Sequence, residues 1–386
     1  MFKSFYIRFC GVFITLFTLT ILPGFISIGI VKNTLLFVLH PLLRIIDAKN
    51  IESDSKEMYL VVLIYLILSM ILASIWGIIS RVRKNEGSLY YWIHVISAYI
   101  LSFFLFVYGF NKVFKLQFYI PEPNTLYTPL GQLSKDILFW SSMGSSHSYN
   151  LFMGLVEILP ALLLLFRRTR MLGAVISFTV LLNVLMINFS FDISVKILSS
   201  FLLFLSLVIL VPYAKKLFSF FFQVNNKVPS STVSFEVEKT KKLIIFKNCI
   251  ICCILFESLF PYFKTNNFND NQQNRPLFHG AYEVLNASNS TSQFGNLQEI
   301  RRIFIHRKGF FIIQFQDDKM KDFQMKTNTL TNTINVYAVN KKMTLKITPT
   351  EIFWHEKNTS IHLAIKKLNW EKSPALQDEF HWISEF

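Results

Sequence analysis

The chain has 386 residues, 52% of them hydrophobic, with 41 phenylalanines and a formal net charge of +15; its mean hydropathy is +0.41. Several apolar runs reach the ~20 residues that cross a bilayer, which excludes an ordinary soluble protein and identifies a polytopic membrane protein. The positive charge does not indicate nucleic acid: Lys and Arg flank the apolar runs, where they orient a membrane protein, and no soluble segment carries a basic stripe with interleaved aromatics.

Residues 1–88 hold two predicted spans. The first, 6–23, is followed by no small-residue cleavage site and is expected to remain as a helix. Residues 33–46 are amphipathic and interrupted by Pro41, which fits an interfacial segment. The second span, 58–79, closes on Arg81, Arg83 and Lys84. Residues 89–216 read as a four-helix core with spans at 90–110, 150–166, 171–189 and 196–211. Arg167, Arg168 and Arg170 stand between its second and third helices, and Lys215 and Lys216 follow its last. Residues 217–242, which include Asn, Pro and a Ser-Ser-Thr run, read as a cytoplasmic linker. A seventh span at 243–262 is preceded by Lys239, Lys241 and Lys242. With a cytoplasmic amino terminus, all four basic clusters face the cytoplasm of a bacterial inner membrane and residues 263–386 lie in the periplasm.

That tail changes character. After an Asn-rich stretch at 266–274, short alternating runs at 302–306, 311–315, 333–339, 343–348, 352–355 and 361–365 read as strands. Turn signals separate them, so a small antiparallel β domain, barrel or sandwich, is expected. The expected fold is therefore an all-α membrane bundle of about seven spans plus this domain.

Glu157 is the most informative residue, because it lies inside an apolar span. A carboxylate at that depth costs roughly 2.5–3.5 kcal/mol on insertion scales, so it is expected to face protein and find a partner. Asn150, Gly154, Ala161 and Arg168 recur with it at helical intervals, which predicts an inward stripe. Lys112 ends the preceding helix and Lys196 begins a later one, and a lysine stem from either can reach toward such an acid. Asn183 and Asn188 lie on the next helix, while Asp192 and Lys196 have the spacing of a helical ion pair. The expected site is a polar pocket toward the outer leaflet, lined by Glu157, Lys112, Asn183, Asn188, Asp192 and Lys196, with Gln117 from the adjoining loop. The plain alternative is that these groups only hold helices together.

No metal or haem site is expected, since His94 alone among the histidines falls in a span and the others lack ligand spacing. Cys249 and Cys252 have CxxC spacing, but their apolar surroundings favour packing over redox chemistry.

Three stretches resemble the DoxX/DoxD family of small multi-helix bacterial membrane proteins, in particular its Bacteroidetes members: YGFNKVFKLQFYIPEP at 108–123, YNLFMGLVEILPALLLLFRRTRMLGA at 149–174 and NVLMINFSFDISVK at 183–196. The tail resembles the carboxy-terminal extension of such proteins through LFHGAYEV at 277–284 and FHW at 380–382. The resemblance implies a four-helix core and a link to membrane redox chemistry, with quinone as a candidate ligand and redox-complex subunits as candidate partners. One departure stands out. Similar proteins carry a Gly-Ser-Gly-Asp-Thr loop before the second span, whereas residues 50–55 here read NIESDS.

Two functions follow. The first is a quinone- or amphiphile-binding subunit of a membrane redox complex, in which Glu157 and Lys112 supply hydrogen-bond and proton partners. The second is a non-enzymatic anchor that displays the β domain for protein contacts or envelope assembly.

Overall fold

The computed structural model describes residues 2–29, 32–34, 37, 54–79, 86–222, 241–287, 291–292, 295–328, 331–338, 341–356, 359–377 and 383. The basic cluster at 81–84, most of the expected interfacial segment at 33–46, residues 223–240 of the expected linker and the FHW stretch lie outside these residues.

Ten helices are described by range as α1 (Phe2–Phe25), α2 (Lys56–Ile79), α3 (Glu86–Val113), α4 (Pro123–Leu126), α5 (Lys135–Ser145), α6 (His147–Leu165), α7 (Arg170–Ser190), α8 (Lys196–Leu210), α9 (Ala214–Phe222) and α10 (Lys241–Thr265). Among the described residues, seven helical stretches are long and apolar enough to cross a membrane. Their lengths follow from uninterrupted apolar sequence, and the prolines inside α1, α6 and α10 do not end them. Pro23 and Pro261 stand near helix ends, while Pro160 lies within α6. Residues 217–222, expected to be linker, instead continue as helix α9. The run LFSFFF holds no breaker, and the first proline comes only at Pro229.

The chain forms two compact units: one made of residues 1–117 and 151–268, the other of 118–150 and 269–386. In the helical unit α1 packs on α2 and α3, α7 on α8, and α3 on α8 and α10. Its core is Phe-rich: Phe17, Phe104 and Phe106 are buried with Leu101, Leu164 and Leu205. Leu151, Phe152, Leu155, Leu159 and Leu162 of α6 are exposed, the face a lipid-contacting helix presents.

The second unit is a closed antiparallel barrel of eight strands in the order β1-β10-β9-β8-β7-β6-β5-β4, with a separate two-stranded sheet of β2 (Thr291–Ser292) and β3 (Gly295–Asn296). Strands β4 (Ile300–His306), β5 (Phe310–Phe315), β6 (Met320–Asn328), β7 (Thr333–Ala338), β8 (Lys341–Ile347), β9 (Glu351–Glu356) and β10 (Thr359–Leu368) form a meander. Strand β1 (Gly280–Ala287) then pairs with both ends of it: Gly280 opposes Ile305 on one side and Ala281 opposes Leu368 on the other. Closure leaves the barrel itself no free edge. At eight strands the interior is narrow enough for side chains to fill, and Ile303, Ile305, Phe311, Ile313, Val336 and Leu345 are buried there.

Strands β1 and β6 went unread in the sequence. β6 turns only Phe323 and Met325 fully inward among charged and amide residues, which leaves a weak alternating signal. The 118–150 loop belongs to this unit. Leu126 and Tyr127 pack beside Phe304 and Ile312, and the buried Gln314 donates from Nε2 to the Tyr127 carbonyl at 2.9 Å.

Candidate functional site

Glu157 and Lys112 meet. The Lys112 Nζ donates to both carboxylate oxygens, at 3.0 and 2.8 Å, with side chains only 3% and 6% exposed. Two local features build this bond. Gly109 and Gly154 each precede a charged partner by three residues, one helical turn. A Cβ added to Gly154 would lie 2.7 Å from the Gly109 carbonyl oxygen, so the two backbones touch and the charges one turn on are brought face to face. The end of α3 is the second feature. Leu116 N donates to the Asn111 carbonyl and Lys115 N to that of Lys112. Lys115 takes a left-handed φ of 60° there. This is a Schellman-type stop that leaves Lys112 in the last turn, where a cation suits the helix dipole.

The stripe expected on α6 is buried at Asn150, Gly154, Glu157 and Ala161 and exposed at Arg168. The Tyr108 ring lies 5.6 Å from the Lys112 ammonium. Gln117 stands just beyond the helix stop, with its Oε1 buried and unpartnered among the described residues.

Three of the other expected pocket residues, Asn188, Asp192 and Lys196, gather at the α7–α8 turn, and Asn183 does not. Asn188 is buried and donates to Ser199 Oγ at 3.0 Å. Lys196 Nζ donates to the exposed Asp192 at 2.8 Å, the pair its spacing predicts. Asn183 faces outward, exposed on α7. The start of α8 is capped from elsewhere. Asp54 accepts from the backbone N–H groups of Lys196 at 2.7 Å and Ile197 at 2.9 Å, neutralising donors that no helix can satisfy internally. Asp54, from the stretch that departs from the family pattern, thus supplies a helix cap, a role visible only once residues 142 positions apart are in contact.

Cys10 is buried, whereas Cys249, Cys252 and Cys253 are free and exposed along α10. Packing inside the bundle does not account for these three.

A second polar cluster, in the barrel unit, was not legible in the sequence. Glu122 sits between two prolines and is buried, with its Oε2 2.9 Å from His279 Nε2 and accepting from the Arg307 N–H at 3.3 Å. His306 Nε2 lies 4.0 Å away. Burial opposes charge on Glu122, but the His279 hydrogen bond and the nearby histidines outweigh it and hold the carboxyl below its usual range. Burial pushes His306 below the ordinary histidine value, with Glu122 pulling the other way. Arg307 also pairs with Asp270, and its guanidinium stands 3.9 Å from the centre of the Tyr119 ring. Among the described residues no set of three His, Cys, Asp or Glu side chains is placed to hold a metal ion. The one signal in the sequence was Pro-Glu-Pro, a rigid carrier for a carboxylate; its partners are too distant along the chain to be read.

Comparison with known proteins adds one relative. The chain is 37% identical over 132 residues to the uncharacterized protein YwoB of Bacillus subtilis (strain 168), a match covering 32% of this chain and 78% of that protein. No family model matches the chain, and no solved structure matches it.

Proposed function

We propose that this chain, which belongs to the same family as the uncharacterized protein YwoB of Bacillus subtilis, is a multi-pass protein of the bacterial inner membrane that presents its barrel unit on the periplasmic side for contacts with other envelope proteins. One observation carries this reading: residues 118–150 and 269–386 build a single compact unit. Four candidate spans separate those two stretches, and an even number returns the chain to the side it left. Arg167, Arg168, Lys215, Lys216, Lys241 and Lys242 fall at the opposite helix ends, which by the positive-inside rule are cytoplasmic.

A second reading, a quinone- or amphiphile-binding subunit of a membrane redox complex, is favoured by the buried Lys112–Glu157 pair beside Tyr108 and by the resemblance to the DoxX family. Such a group can donate and accept protons at membrane depth.

A strain lacking the protein separates the two when complemented with the double variant Lys112→Met/Glu157→Met and, independently, with a chain ending at Phe268. Display predicts that the double variant restores the envelope phenotype and the truncated chain does not. The redox reading predicts the reverse, with quinone lost from the purified double variant by mass spectrometry.

A further inference from the structure

Arg167, Arg168 and Arg170 read in the sequence as topology signals, yet with Lys247 of α10 they line one cavity of about 430 Å³ within the helical unit. Tyr91 and Trp92 from the first turns of α3, and Phe246 from α10, contribute the apolar and amphipathic wall. All these residues lie at or near one kind of helix end: the start of α3, the end of α6, the start of α7 and the start of α10. Successive spans alternate in direction, so these ends share one face of the membrane.

Among the described residues, four cations and no carboxylate line the cavity, and none of the four is ion-paired. Arg170 is fixed in place: it is buried, its Nε donates to the Leu164 carbonyl at 3.1 Å, and its guanidinium stands 5.9 Å from the Tyr99 ring. The Lys247 ammonium stands 5.7 Å from the Phe166 ring and feels the charge of Arg170. Like charges gathered between helices without an acid repel one another, and a bound anion relieves that repulsion. Arginine also presents paired N–H donors that match phosphate oxygens.

We propose that this cavity binds the phosphate headgroup of an anionic phospholipid, whose acyl chains lie along the apolar wall and continue into the bilayer. The cavity volume falls within the ~300–1,000 Å³ of ordinary ligand sites. Trp and Tyr at headgroup depth, under a basic rim between spans, are the chemistry that distinguishes such a lipid from a free anion. Soluble phosphate would engage the cations and leave Tyr91, Trp92 and Phe246 without contact. This site goes beyond the display reading and does not depend on it.

The test uses full-length protein, delipidated in a non-ionic detergent and titrated with phosphatidylglycerol, phosphatidylethanolamine or inorganic phosphate, with the thermal unfolding midpoint as readout. Phosphatidylglycerol should stabilise the wild type well above the other two. Arg168→Gln/Lys247→Gln should weaken half-saturation by about 25-fold, from ~5-fold per cation near a charged lipid surface. Lys319→Gln, in the exposed β5–β6 turn, should leave it unchanged. Arg168→Lys, which keeps the charge but loses the paired N–H donors, should bind more tightly than Arg168→Gln and more weakly than the wild type, even if the double variant unfolds early. Equal protection by phosphatidylethanolamine overturns the proposal, as does unchanged affinity in the double variant. Equal protection by inorganic phosphate at the same concentration replaces the lipid with a simple anion site.

Discussion

Lys112 and Glu157 are worth more together than either is alone. Each charge, buried without its partner, would face the cost of an ion stripped of water, which in proteins amounts to about 3–5 kcal/mol when one member of a buried pair is removed. Replacing both by apolar residues of similar volume removes that cost along with the bond. Unfolding of the purified protein should therefore show Glu157→Met and Lys112→Met each destabilising by ~3–5 kcal/mol, and the double variant by clearly less than their sum. Additive losses would mean that the two charges do not depend on one another. The acid in an apolar span was legible from composition alone, because the expense of burying it demands a partner. Lys112 and Lys196 both stand at predicted helix ends from which a lysine could reach it, and only the fold assigns Lys112 to Glu157 and Lys196 to Asp192. Asp54 and Glu122 gave no comparable warning, since acids in loops are ordinarily solvated and the prolines beside Glu122 mark only a rigid loop, not a buried or bonded acid.

Among the helices, the α3–α6 contact is set by glycine. A methyl group at Gly154 would lie 2.6 Å from Val113 Cγ2 and 2.7 Å from the Gly109 carbonyl oxygen. Backbone cannot rotate away as a side chain can, so the helices must part. Gly154→Ala should lower stability by ~1–3 kcal/mol, the ordinary cost of overpacking, whereas Gly131→Ala, where a Cβ meets nothing within 4 Å, should be neutral; thermal unfolding in detergent compares the two. Helix extents were readable because an apolar run of fixed length has a single stable arrangement in lipid. Strands were readable where apolar residues ran together, as at 311–315, and were missed at β1 and β6, whose positions in the barrel come from pairing with neighbouring strands.

For the whole molecule, the decisive property is parity. With Cys249, Cys252 and Cys253 replaced by Ser, an impermeant maleimide applied to intact spheroplasts should label Lys319→Cys and spare Lys216→Cys until the membrane is permeabilised. The opposite pattern would invert the orientation and remove the periplasmic barrel from the proposed function. Charge at the helix ends predicts this orientation, and the union of residues 118–150 with 269–386 adds the independent requirement that both stretches emerge on one side.

Local sequence settled the membrane class, the approximate spans and the existence of a β-rich tail, because hydrophobic length and alternation are properties of neighbouring residues. Tertiary structure alone decided that the tail closes into a barrel, that the 118–150 loop is built into it, and that three arginines and a lysine line one cavity. Those outcomes depend on contacts between residues tens to hundreds of positions apart, and a single chain of letters carries no signal for them beyond the cost of leaving a charge or a strand edge unsatisfied.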